Sequence, residues 1–327
     1  MTLVRKGTLY GDREPRGGEE VTSGEIAAAT ASIGAGIAAG GGSVVGALAR
    51  CGLRGAVAEA VRARVEVSCA HPAEDLDESV LRSAAAAFGD FDSYGLEGGN
   101  GTLIDALADG LGEALHLEAP VMHVSWSRRM VRVAAGDGTE AAADAAVIAV
   151  PPTVVGSIDF DPTLPSGRLS AMRELRLGQA AKLFVALRSP ALPSATLSVP
   201  GRFWCYTQLG SDGAPVPFVA AFAGTPAALE ALGVRGGPET WLAALAALRP
   251  DLDLDPTEVL LSRWDDDPWV RGAYSACSLG SPLGSEELAA PVGPLHFAGE
   301  HTAGEFHGLM EGALISGRRA ASEITGR

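Results

Sequence analysis

Cysteine is scarce. The 327 residues hold four, Cys51, Cys69, Cys205 and Cys277, with no Cys-x-x-Cys pair among them. A disulfide framework or a cysteine-built zinc site is therefore not expected to hold a chain this long. Positive charge is also short: 25 Lys and Arg stand against 40 Asp and Glu, a formal net charge of −15. Nucleic acid and anionic membrane both need a basic face, so neither is an expected partner. The same charge would favour a cationic small molecule, although acidic proteins commonly carry it for solubility alone. The six histidines show no His-x-x-x-His spacing, so no metal is expected; His301 and His307 fall in one loop. No apolar run reaches the length of a membrane span, and Met1-Thr2-Leu3-Val4-Arg5-Lys6 opens no signal-peptide pattern, so the expected location is the cytoplasm.

What the chain does have is small apolar residues. Hydrophobic content is 47%, aromatic content only 6%, and there are 42 glycines, which describes a globular protein long enough for two domains. Residues 1–20 begin strand-like (Leu3, Val4, Leu9, Tyr10) and pass into a glycine-rich loop. From Glu25 to about Phe88 the alanine-rich spacing predicts several short helices, broken near Gly40, Gly52 and Pro72. Within it, Gly34-Ala35-Gly36-Ile37-Ala38-Ala39-Gly40 fits the spacing of a dinucleotide-binding loop, with Glu59 placed for a ribose contact. The context does not fit. Residues 26–33 lack the β-branched and aromatic content of a buried strand, and 55–62 read as helix, so a helix with a glycine break is expected instead.

Further on, Gly98-Gly99-Asn100 opens a helix through Leu103, Leu107 and Leu111, with Asn100 or Thr102 as its cap. Residues 120–125 and 130–134 alternate as a hairpin around Ser127-Arg128-Arg129. Ala145 to Val150 is a continuous apolar run before Pro151-Pro152, expected to be a strand buried on both faces. Lys182 interrupts the apolar strand 177–187, where it is either a snorkelling lysine or a functional one. Strands are predicted at 203–207, 218–223 and 259–264, and an amphipathic helix at 238–248 around Trp241 and Leu245. At the C-terminus a short strand (295–298) leads through a glycine-hinged loop to a helix starting near Gly308. Leu309, Ala313, Ala320 and Ile324 share one stripe of it. Such a helix start offers free N–H groups to a phosphate or a developing anion, although an ordinary strand–loop–helix would read the same way.

Phe297-Ala298-Gly299-Glu300-His301-Thr302 followed by Gly308-Leu309-Met310-Glu311-Gly312-Ala313 resembles the flavin-contacting signature of the flavin-containing amine oxidases, the monoamine and polyamine oxidase group. The resemblance runs over most of residues 60–327. It implies a mixed α/β fold in which an incomplete, Rossmann-like FAD-binding domain (98–170 and 267–327) interleaves with a substrate domain (1–97 helical, 171–266 sheet). The family's opening βαβ unit for the FAD pyrophosphate is not convincingly present, which suggests a truncated, split or degenerate relative. A second chain supplying that unit, or a homo-oligomer, is then a possible partner.

The resemblance further implies FAD contacts at Val121, Pro151, Trp264, Ala273, Gly299, Glu300, Gly308, Leu309 and Met310. It makes Lys182 the lysine that holds a water against the flavin, and Tyr274 the catalytic wall of an aromatic cage for the amine. Trp269 and Leu309 complete the substrate contacts, with Trp264 and Trp269 equally readable as core aromatics. Ala273 stands where some members carry a flavin-bonding cysteine, so FAD is expected to be non-covalent. Leu309 replaces the second cage aromatic, leaving a one-sided cage. The implied reaction is oxidation of an amine to an imine and then aldehyde, with oxygen reduced to hydrogen peroxide. The alternative is a non-catalytic or partner-completed subunit.

Overall fold

A computed structural model describes residues 2–3, 23–37, 41–82, 93–94 and 96–326. The chain divides into two compact units, each assembled from two separate stretches. One comprises Met1–Gly110 with Gln179–Trp264, the other Leu111–Gly178 with Asp265–Arg327. Element labels run in chain order.

The first unit carries α1 (Ser23–Gly36), α2 (Val44–Arg50), α3 (Gly55–Cys69), α4 (Gly101–Leu111), α7 (Pro226–Ala231) and α8 (Glu239–Leu248). Two short strands, β1 (Thr2–Leu3) and β2 (Ser93–Tyr94), pair antiparallel. The main sheet is antiparallel, in the order β10-β11-β12-β9-β13. Its strands are β9 (Ala180–Leu187), β10 (Ser194–Ser198), β11 (Phe203–Thr207), β12 (Phe218–Gly224) and β13 (Leu254–Arg263). Alternation along β9 sends Ala181, Leu183, Val185 and Leu187 into a core with Phe203, Val219, Trp241 and Leu245. Each large side chain buried there stabilises the fold by about 1.5–3 kcal/mol. The Glu66 carboxylate is buried but compensated, receiving Arg62 Nε at 3.1 Å and Arg202 Nε at 2.7 Å. A buried carboxylate without such partners would be costly.

The glycine spacing at Gly34 and Gly36 is thus not a nucleotide loop as far as the described residues reach. Both glycines lie in α1, while Gly40 lies outside the described residues. Residues 55–62 are helical, and Glu59 pairs with Arg202. Glu78–Leu81 is a four-residue 3₁₀ turn capped by Asp77. Tyr10 and most of the first twenty residues lie outside the described residues.

The second unit is built on one four-stranded sheet and two strand pairs. Strands β3 (Val121–Ser127), β4 (Met130–Ala135), β5 (Glu140–Ala143) and β7 (Asp159–Asp161) form a sheet in the order β5-β4-β3-β7. The β3–β4 hairpin turns at Arg128–Arg129, with Ser127 opposite Met130. β6 (Ala146–Ile148) runs parallel to β15 (Leu295–Phe297), and β8 (Arg176–Leu177) pairs with β14 (Ser275–Ala276). Helices α5 (Pro152–Val155), α6 (Ser166–Glu174), α9 (Glu286–Ala289) and α10 (Met310–Thr325) complete it. Val124, Val131, Phe160, Leu288, Leu295 and Phe297 share its core.

Two expectations for this unit need correction. β6 is only half-buried, with Val147 41% exposed, because among the described residues its only sheet partner is β15. In α10 only Ala320 of the Leu309, Ala313, Ala320 and Ile324 stripe is buried. Ala313 and Ile324 are exposed, and the buried residues are Gly312, Ser316 and Ala320. These small residues recur every fourth position, so one face of the helix can approach the chain closely. Ser316 Oγ uses that approach to accept the Gly299 N–H at 2.9 Å.

Candidate functional site

The parallel strand β15 delivers the chain to Gly299, whose φ of 132° suits only glycine. A Cβ there would lie 2.5 Å from the His301 ring. The turn places Glu300 at a junction of three segments. Its Oε1 accepts the Ser275 N–H at 2.9 Å, while Oε2 accepts the Ser275 hydroxyl at 2.5 Å and the Gly308 N–H. Charge-assisted bonds of this kind are about twice as strong as neutral ones.

The neighbouring strand pair holds Tyr274. Gly178 N–H donates to the Tyr274 carbonyl at 2.8 Å, and Ala273 N–H donates to the Gly178 carbonyl at 2.8 Å. Gly272 permits this pairing, since a Cβ there would meet Leu177 Cβ at 2.9 Å. Gly308, with φ 72°, then lies against the Tyr274 ring: a Cβ on it would be 3.5 Å from Tyr274 Cδ2. Immediately after it Leu309 begins α10 in extended conformation (φ −115°, ψ 147°) and supplies no side-chain cap. The first N–H groups of α10 therefore lack a side-chain acceptor, and Met310 beside them is 47% exposed. This is an uncapped positive helix end beside an aromatic face.

Of the residues singled out in the sequence, the second unit gathers Ala273, Tyr274, Gly299, Glu300, Gly308, Leu309 and Met310 at this junction. Pro151 begins α5, and the hydroxyl of Thr153 two residues on donates to the Val270 carbonyl at 2.5 Å, next to Trp269. Val121 begins β3 opposite Ala135. Lys182 and Trp264 belong to the first unit. Lys182 is exposed on the outward side of β9, between Phe222 and Ser262 of the flanking strands. Trp264 and Trp269 are 50% and 59% exposed, which removes the reading of either as a core aromatic.

Three groups behind the site had no sequence signal. Arg319 of α10 donates to the carbonyls of Phe297 and Thr302, the latter at 2.9 Å. Glu323 accepts from or pairs with His296 Nδ1 at 2.8 Å. Arg168 lies 3.7 Å over the Phe297 ring and donates to the Leu288 carbonyl at 2.9 Å. Burial pulls the Arg168 guanidinium down to about 10. His301 is buried, and desolvation first, opposed by Glu300 and reinforced by Arg319 and Arg168, holds its pKa below the usual 6.5. Arg319 and Glu323 also pair with each other one helical turn apart at 3.2 Å, but their bonds to His296, Phe297 and Thr302 and those of Arg168 run across the fold, where no spacing rule announces them.

The residues fit the ring end of a flavin: an uncapped helix N-terminus, a close glycine backbone and an aromatic face converge on one place. Among the described residues no group of three or more His, Cys, Asp or Glu is arranged to hold a metal ion. No helix among them is long and apolar enough to cross a membrane.

A family model described as flavin containing amine oxidoreductase matches residues 51–325. Polyamine oxidase 4 of Oryza sativa subsp. japonica is 32% identical over 248 residues, 71% of this chain and 50% of that protein. A probable flavin-containing monoamine oxidase A of Dictyostelium discoideum is 30% identical over 241 residues, 70% of this chain and 52% of that protein. The chain thus spans about half the length of these curated relatives. Among solved structures, a putrescine oxidase bound to putrescine superposes with a TM-score of 0.82 at 21% identity, covering 100% of this chain and 83% of that one. That likeness establishes the mixed α/β fold.

Proposed function

The chain belongs to the family of flavin-containing amine oxidoreductases, and on that premise we propose that it takes part in oxidising a small amine with non-covalent FAD. The observation that carries this reading is the junction where the Tyr274 ring meets Gly308 at the uncapped start of α10. Bound FAD would supply the two-electron oxidation of the amine to an imine, which hydrolyses to the aldehyde, with oxygen as the final acceptor giving hydrogen peroxide.

The remaining work falls to the chain. The backbone N–H groups opening α10 favour negative charge beside them. Gly299, Glu300, Gly308, Leu309 and Met310 would hold the ring end of FAD, with Trp264 and Ala273 beside it, Val121 toward the adenine end and Pro151 as a further contact. Ala273 has no thiol to bond the ring. Tyr274 offers a π face that orients the amine, and Trp269 and Leu309 offer apolar surface that an aliphatic or bulky amine can pack against. Lys182 positions a water. The second unit supplies the FAD side and the first the substrate side. An amine loses its proton before its C–H can leave as hydride, so the bound form is neutral.

A second reading, a subunit completed by another chain, is favoured by the helical state of Gly34 and Gly36. The visible spectrum of the purified chain, before and after acid precipitation, separates the two. A flavin spectrum passing into the supernatant supports non-covalent FAD, and peroxide release on amine addition then supports the oxidase. A chain that stays colourless with added FAD refutes the stand-alone enzyme.

A further inference from the structure

We infer that Glu300 is a positioning residue, whose carboxylate ties Ser275 to Gly308 and so sets the placement of the Tyr274 and Leu309 side chains. This inference rests on the reading of Tyr274 and Leu309 as substrate contacts. Its physical basis is independent of that reading. Three protein donors converge on the two oxygens of one side chain: the Ser275 N–H and hydroxyl, and the Gly308 N–H. Tyr274 immediately precedes one anchored residue, and Leu309 immediately follows the other.

The strand pairing of Gly178 with Ala273 and Tyr274 fixes the first segment on its other side. On the other side, the backbone bonds flanking Gly308 before α10 are local turns, His307 N–H to the Gly304 carbonyl at 3.1 Å and Leu309 N–H to the Phe306 carbonyl at 3.3 Å. Gly308 is also left-handed, and its backbone lies against the Tyr274 ring. Releasing Gly308 from the carboxylate would therefore let ring and helix start move apart. Glutamine keeps the shape of Glu300 but offers one acceptor oxygen and an NH₂ that faces a donor, so it cannot serve all three.

The test is amide hydrogen exchange on the chain without added flavin, comparing wild type, Glu300→Gln and Ser275→Ala. Loss of charge-assisted bonds predicts that the Ser275 and Gly308 amides of Glu300→Gln exchange about 10- to 100-fold faster, while amides of β3 and β4 stay as in wild type. Ser275→Ala, which removes only the hydroxyl donor, should give a smaller acceleration at Gly308. Unchanged exchange at both amides, or equal acceleration throughout the unit, overturns the inference. In flavin-loaded protein, Glu300→Gln should raise the amine KM about 10-fold with a smaller change in kcat. Fast exchange with an unaltered KM would overturn the claim that this placement governs substrate binding. Failure of the wild type to take up flavin would refute the proposed function and leave the exchange result to decide the clamp.

Discussion

Lys182 and His301 show two ways in which one side chain carries a testable consequence. The Lys182 ammonium stands on the exposed side of β9, where replacing it removes no buried contact. Lys182→Met is expected to change folding stability by less than about 0.5 kcal/mol, while lowering amine-dependent peroxide release at least about 10-fold. A stopped assay beside a denaturant titration checks both. His301 is buried and its pKa is held below 6.5, so the unfolded chain takes up its proton at a higher pH than the folded one. Its contribution to stability is complete above pH 6.5 and falls as the pH drops below that value toward the folded pKa. Urea midpoints measured from pH 7.5 to 5 should decline, and His301→Gln should flatten part of that decline. The candidate contacts at Tyr274, Glu300 and Leu309 were legible because they sit in contiguous motifs. Arg319, Arg168 and Glu323 were not, because their partners are up to 122 residues away along the chain.

At the scale of elements, α10 separates two glycines that read alike in sequence. A Cβ at Gly312 would lie 2.1 Å from the Phe306 carbonyl oxygen, whereas Gly317 has nothing within 4 Å. Gly312→Ala is therefore expected to destabilise by about 1–3 kcal/mol through overpacking. Gly317→Ala is expected to stabilise by up to about 1 kcal/mol through helix propensity. Thermal melts of the two single variants decide it, and shifts of the same sign would contradict the packing described for this helix. Period-2 and 3.6-residue patterns located β3, β4, β11, β12 and α8 closely. They misjudged the buried side of α10, because a close helix contact buries small residues that a hydrophobic stripe does not weigh. They overestimated the burial of β6, because burial of a strand depends on its sheet neighbours and the run of apolar residues does not report them.

For the whole molecule, interleaved domains were an expectation drawn from the family resemblance and not from any local pattern. The core of the first unit gathers residues from β9, β11, β12 and α8, and that of the second from β3, β4, β15 and α9. The core of the second unit thus closes only when its distant halves meet, whereas that of the first lies within Gln179–Trp264. α4 differs from both. It is 11 residues long, none of them buried, and Ile104, Leu107 and Leu111 are 61%, 51% and 58% exposed. A helix of that length is marginal in water without packing, and neither described core includes a residue of it. Its opening free energy should sit near zero, far below that of either core. A protease offered the folded chain should accordingly cut within residues 101–117 before it cuts either core, at a rate set by that local opening and insensitive to mild denaturant.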